Sequence, residues 1–153
     1  MHNTHIDDPF VVIHGALVDI VGIMNSPQRD AAMIRDAGIS LDRALFPLLL
    51  MVARKGPVSV TELADLVGRD HSTVSRQVPK LEEMGLIERR SAGTDRRVRE
   101  AVITQAGKEM TGVIDVTRKQ LAGRMLKDWN DTDLKSLAVL IRRLADDVLN
   151  IPS

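Results

Sequence analysis

The sequence predicts a mainly α-helical fold carrying one small β-hairpin. Three observations predict it. Apolar residues recur at helical spacing through most of the chain, polar caps and glycines divide those stretches, and one segment near residues 86–104 alternates with the period of paired strands.

Phe10 to Met24 is apolar on almost every side, broken only by His14 and Asp19. A helix of that kind is buried, either in its own chain or in a partner. Asn25-Ser26-Pro27 stops it and restarts a short helix, because Ser suits the cap and Pro the first helical position. Gly38 ends that piece, and Ser40 is expected to cap a helix of about fourteen residues to Arg54, stopped by Gly56-Pro57. Ser59-Val60-Thr61-Glu62 has the form of a capping box. The helix it opens shows Leu63, Leu66 and Val67 on one face and ends at Gly68. A second polar cluster, Asp70-His71-Ser72-Thr73, opens a further helix to about Glu83, with Val74, Val78 and Leu81 inward and Gly85 as its stop.

Leu86 to Arg90 and Val98 to Thr104 read as strands joined by the turn Ala92-Gly93-Thr94-Asp95. A long helix follows from Gln105 to about Lys127. The cluster Asn130-Asp131-Thr132-Asp133 caps the last helix, whose Leu134, Leu137, Ile141, Leu144 and Val148 alternate steps of three and four. Helix, tight turn, helix and hairpin in that order make a winged helix-turn-helix, flanked by N- and C-terminal helices suited to dimerisation. The expected layout is a single domain over 1–153, with dimerisation helices at 10–38 and 105–150 around a DNA-binding lobe at 40–104. Two prolines depart from ordinary helix composition, Pro47 and Pro79. An interior proline removes a backbone bond at a cost of roughly 3 kcal/mol, so bends are expected at both.

Composition narrows the chemistry. The 153 residues are 44% hydrophobic and 27% charged, inside the range of chains that fold around one core. With no cysteine, disulfides, thiolate metal sites, a Cys nucleophile and thiol redox switching are excluded. Apolar runs such as Phe46 to Ala53 are too short to span a membrane, and the N-terminus carries acids where a signal peptide carries bases, which predicts a cytoplasmic protein. Four histidines, at 2, 5, 14 and 71, have no metal-like spacing. His14 reads as a hydrogen-bonded core or pocket histidine rather than a metal ligand, and the adjacent pairs Asp7-Asp8 and Asp146-Asp147 point apart on a helix. No enzyme, cofactor or metal site is expected.

The net charge of zero conceals a gradient: residues 1–53 carry −3, residues 54–99 carry +3 and residues 100–153 are balanced. The excess peaks where Arg89, Arg90, Arg96, Arg97 and Arg99 face Asp95 alone. Such a patch suits a polyanion, although a solvated charged hairpin has the same composition. The combination with a helix-turn-helix favours double-stranded DNA, the second helix fitting the major groove and the hairpin tip reaching the minor groove beside it. Candidate major-groove residues are Arg69, His71, Ser72, Thr73, Ser75, Arg76, Gln77 and Lys80. Arg can bond guanine and Gln adenine in bidentate fashion, while short hydroxyls reach phosphates or bases. Candidate wing residues are Asp95, Arg96 and Arg97. The rival reading is a winged helix serving as a protein-interaction scaffold without its own operator, which would not need five arginines around a hairpin.

Over residues 56–107 the chain resembles the multiple antibiotic resistance regulator (MarR) family. The resemblance rests on Gly-Pro-Val-Ser-Val-Thr-Glu-Leu-Ala, on Ser72-Thr73-Val74-Ser75-Arg76, on the run Leu81 to Arg89, on Asp95-Arg96-Arg97, and on Ile103-Thr104 ahead of Gly107. It implies a homodimer with interlocked terminal helices and a palindromic operator, usually repressed. In the family's Asp-x-Arg wing motif, matched by Asp95 and Arg97, the arginine enters the minor groove and the acid orients it. Relatives often respond to small aromatic or phenolic anions. The chain's seven methionines and many leucines and isoleucines could line a pocket for such an effector between dimer base and DNA lobe, core packing being their ordinary role.

Overall fold

The computed structural model describes residues 8–93 and 95–152, and at Arg96 the backbone alone. His2, His5 and Thr94 lie outside the described residues. The order is α1 (Pro9–Met24), α2 (Pro27–Ala37), α3 (Phe46–Lys55), β1 (Val58–Ser59), α4 (Val60–Val67), α5 (His71–Glu83), β2 (Ile87–Ala92), β3 (Asp95–Ile103), α6 (Gln105–Met125) and α7 (Asp131–Leu149). The chain divides into two compact units, one ending at Arg118 and one beginning at Lys119, and each is described by itself.

The core of the first unit is gathered by α3, α4, α5, α6 and the sheet. Leu48, Leu49 and Val52 of α3 join Leu63 and Ala64 of α4, Val74, Val78 and Leu81 of α5, and Ile114 of α6. The antiparallel sheet, in the order β1-β3-β2, closes this core with Val58, Ile87 and Ala101. The inward face expected for α5 is the one observed. For α4 it is shifted: Leu63 is buried with Ala64, while Leu66 is 46% exposed and lines a cleft. Strand β1 is too short to show alternation in sequence, yet Val58 pairs with Ala101 and Ser59 with Glu100.

Helix α3 starts at Phe46, six residues later than its expected cap at Ser40. Pro47 explains the difference. In a helix begun at Ser40 it would break the interior ladder, whereas in the first turn its missing N–H has no partner to lose. The segment before it turns on Asp42 instead, whose Oδ1 accepts from the Ala44 N–H at 2.8 Å. Pro79, by contrast, does lie inside α5, which continues as one helix around it. Both Pro79 and Ser75, the residue whose carbonyl it deprives, are exposed, so water can take the lost bond.

Caps follow the sequence with local changes. Ser59 Oγ accepts from the Glu62 N–H at 3.1 Å, and its hydroxyl donates to Glu62 Oε1 at 3.1 Å, so the glutamate reaches the serine side chain rather than its backbone. Asp70 occupies the cap position of α5 without a side-chain cap bond. Thr104 clamps the join between α5, β3 and α6. Its Oγ1 donates to the Gly85 carbonyl at 2.6 Å and accepts from Gly107 N–H at 3.1 Å, while its own N–H donates to the Leu86 carbonyl at 3.1 Å.

Gly107 sits where that clamp leaves no room. A Cβ there would fall far inside van der Waals contact of the Leu86 carbonyl oxygen and 2.6 Å from Ile103 Cγ1. Gly107→Ala should destabilise the protein by about 1–3 kcal/mol, the range for overpacking a tight site. Urea unfolding measures it, and an unchanged midpoint would show that α6 can slide away freely.

Helices α1 and α7 contain no buried residue. In α1, Phe10 is 72% exposed and stacks on His14 with ring centroids 6.3 Å apart. His14 is thus neither a core nor a hydrogen-bonded residue among those described, contrary to the sequence expectation. In the second unit, Asn130 caps α7 by accepting from the Asp133 N–H at 2.8 Å. Leu137, Ile141 and Val148 of its apolar stripe are exposed. No single helix among the described residues is long and apolar enough to cross a membrane.

Candidate nucleic-acid interface

The helix-turn-helix is α4, the turn at Gly68 and α5. Gly68 takes a left-handed conformation (φ 69°), which lets α4 end and the chain reverse into α5. With Val74, Val78 and Leu81 buried, the 3.6-residue period puts Ser72, Ser75 and Arg76 on the outer side of α5, with Lys80 beside them. All four are exposed, and none has a side-chain hydrogen bond or ion pair among the described residues. Thr73 is half-buried on the flank.

Two of the sequence candidates are engaged inside the chain. Arg69 is half-buried, and its guanidinium donates to the Ala44 carbonyl at 2.6 Å and to Gln77 Oε1 at 3.0 Å. A guanidinium has only donors, so Gln77 must turn its oxygen toward Arg69. One lone pair of that oxygen is thus engaged within the chain, which leaves Gln77 less free to turn to the adenine contact expected from sequence. The pair works as a strut between the segment before α3 and the recognition helix. His71, the first residue of α5, places Nε2 2.9 Å from Asp65 Oδ1 on α4, a partner that the sequence reading did not single out.

The wing is built by a register change. Strand β2 pairs evenly with β3 from Ile87 opposite Ile103 to Ser91 opposite Arg99, and then Ala92 lies opposite Asp95. Residues 96–98 therefore have no counterpart on β2 and form an excursion at the tip. Asp95 Oδ1 accepts from the backbone N–H of Arg97 at 3.0 Å, closing the excursion. The sequence places this carboxylate to orient the Arg97 guanidinium; in the structure its bond goes to the Arg97 backbone instead. The other arginines are partly tied: Arg89 Nε lies 3.7 Å from Glu82 Oε1, Arg90 Nε donates to Glu88 at 2.7 Å, and Arg99 donates to the Arg89 carbonyl at 3.3 Å. Arg97 is exposed with no side-chain bond among the described residues.

Beside the strut, a half-open cleft of about 1400 Å³ lies in the first unit. Apolar walls come from Met24, Phe46, Leu50, Met51 and Leu66, and its charges from Arg43, Arg54, Arg69, Lys108 and Arg118 against Asp30 and Asp115. Burial pushes the Asp30 carboxyl above its ordinary range, an effect that Arg69, Arg118 and Arg43 partly offset. Arg43, Arg118 and Asp30 carry no local sequence pattern, because they converge from separate elements.

A helix-turn-helix with Arg76 and two serines on its outer face, followed by an arginine-tipped wing, defines a DNA-binding transcriptional regulator of the winged-helix class. The chain is 34% identical over 105 residues to the HTH-type transcriptional regulator YxaD of Bacillus subtilis (strain 168), covering 69% of this chain and 73% of that one. The HVO_A0114 family profile matches residues 41–100. The fold is that of MarR, with a TM-score of 0.66 at 24% identity over 91% of this chain and 98% of the other. A MarR family protein from Bacillus stearothermophilus gives 0.70 at 19% identity over 92% and 96%. The chain thus belongs to the HTH-type transcriptional regulators and has the MarR fold, a class of regulators rather than enzymes.

Proposed function

We propose that this regulator acts as a homodimeric repressor of a palindromic operator, released by a small aromatic anion. The observation that carries the DNA geometry is the coincidence of unengaged side chains on α5 and at the wing tip. Ser72, Thr73, Ser75, Arg76 and Lys80 enter the major groove, and Arg96 and Arg97 the adjacent minor groove, where a narrow groove attracts inserted arginine. Arg69 and Gln77 hold α5 in place rather than read bases. Helices in 10–38 and 105–150 form the dimer, which sets the two recognition helices about one helical turn, roughly 34 Å, apart.

The cleft supports the effector reading. Five cations against two acids above apolar walls suit an anion with an aromatic body. An anion there competes with Asp30 for Arg69, the residue that holds Ala44 and Gln77, and so loosens the seat of α5.

Arg76 tests base reading. Arg76→Ala should cost about 1–3 kcal/mol on the operator, relax preference at one position per half-site, and change binding to random duplex less. Selection from random DNA followed by gel shift across a salt series measures both. Equal loss on operator and random duplex would make Arg76 a phosphate contact, and little binding at any salt would overturn the DNA reading itself.

A further inference from the structure

His71 is the sole histidine between residues 40 and 104, the others being at 2, 5 and 14. Histidine is the side-chain type that exchanges a proton near neutral pH, and His71 is the one such residue in that stretch. It is also the first residue of the recognition helix, and its ring is held by a carboxylate from the other helix of the motif, Asp65, at 2.9 Å. Both side chains remain more than half exposed. The charged group bonded to the ring is Asp65 of α4, Asp70 precedes His71 in the chain, and Arg69 is turned to Ala44 and Gln77.

A neutral imidazole has one N–H and one lone pair. With the N–H given to Asp65 through Nε2, Nδ1 presents a lone pair, which repels a phosphate oxygen. Only the imidazolium can donate to Asp65 and to a phosphate at once. Helix N-termini are among the groups that bond backbone phosphates in protein–DNA interfaces. A docked phosphate adds a negative charge beside the ring, so the imidazolium gains a partner on DNA that the free protein lacks. Proton uptake then belongs to the bound state.

We propose that His71, positioned by Asp65, makes DNA binding proton-linked: each half-site takes up a proton at Nδ1, and the imidazolium then donates Nε2–H to Asp65 and Nδ1–H to a backbone phosphate. This rests on the DNA-binding reading of α5 and adds a regulatory input to it: acidification tightens the grip on DNA, independently of any ligand in the cleft.

The test uses the full-length protein and a mixed-sequence duplex of about 30 base pairs, long enough for two half-sites one turn apart. Affinity is measured at fixed low salt between pH 6 and 8, with calorimetry in buffers of different ionisation enthalpy to count protons. Wild type should bind about tenfold or more tightly at the acid end, because one linked proton per half-site permits up to tenfold per pH unit. It should take up as many as two protons per dimer. His71→Gln, which keeps a donor without titrating, should bind with a flat profile and no uptake. Asp65→Asn should shift the rise in affinity to lower pH. An equal pH slope in wild type and His71→Gln, or binding without proton uptake in wild type, would overturn the proposal while leaving DNA binding intact. An unshifted profile in Asp65→Asn would remove Asp65 from it. Absence of binding at every pH would instead strike the DNA reading.

Discussion

Aspartate at Ile13 and Ile20 should turn the protein into a monomer that no longer holds operator DNA. The two residues lie two turns apart on one side of α1 and are 44% and 46% exposed in the single chain. The helix around them leaves Val11, Val12, Val18, Val21 and Ile23 exposed as well. Water does not favour a helix apolar on all sides, and a symmetric interface buries each of its residues twice. Covering the remaining surface of two isoleucines in both copies is worth about 3–6 kcal/mol, half the full burial value, before counting the cost of burying four carboxylates. Dimer affinity should fall at least 100-fold. Operator binding should collapse with it, since one lobe alone forfeits the second half-site. Sedimentation and gel shift together, with unchanged helical circular dichroism, measure this. A variant that stays dimeric would place the interface elsewhere.

The second large effect is expected at the wing. Arg97→Ala should weaken operator binding about 100-fold or more, because charge-assisted bonds of about 1.5–3 kcal/mol are lost in both half-sites. The salt slope should fall by roughly one unit for each contact removed. Asp95 separates two accounts of the tip. Its observed bond fixes the backbone of the excursion rather than the arginine side chain. Asp95→Ala should then weaken binding despite the added positive charge, since the tip loses its closure. Asp95→Asn keeps an acceptor for the Arg97 N–H and removes a charge facing DNA, so it should bind at least as tightly as wild type. Tighter binding by the alanine variant would reduce Asp95 to a repulsive bystander. Loss in both variants alike would restore a direct hold on the guanidinium. Gel-shift titrations at moderate salt distinguish these outcomes.

Local chemistry made the fold readable. Gly38, Gly68 and Gly85 mark turns whose left-handed backbone favours glycine, and the stripe Val74, Val78, Leu81 fixes which side of α5 faces inward. The outer face with Ser72, Ser75 and Arg76 follows from that stripe by helical period alone. Contacts across sequence distance were hidden. The grip of Arg69 on Ala44 spans 25 residues and leaves no pattern in the sequence. The pairing of His71 with Asp65 depends on how two helices cross, and the excursion at 96–98 on strand register, neither of which composition encodes. Leu66 misled for a related reason: it is spaced like a core residue yet lies along the cleft. The start of α3 was legible in principle, since Pro47 restricts where a helix can begin, but the serine at 40 offered a competing cap.

The clamp at Thr104 has an evolutionary consequence. Its hydroxyl and N–H grip two carbonyls, those of Gly85 and Leu86, and touch no side chain of the helix that precedes them. The C-terminal end of α5 is thus seated by main chain on one side and by the residue after the wing strand on the other, while the Arg69–Gln77 strut holds its middle. The outer face of that helix is under no obligation to it. On the proposed reading, Ser72, Ser75 and Arg76 can drift toward another operator without loosening their own platform, whereas a single methyl at Gly107 would unsettle every operator alike. Divergence in what such a regulator reads and constancy in how it holds the reading helix are separable traits, inherited through different residues.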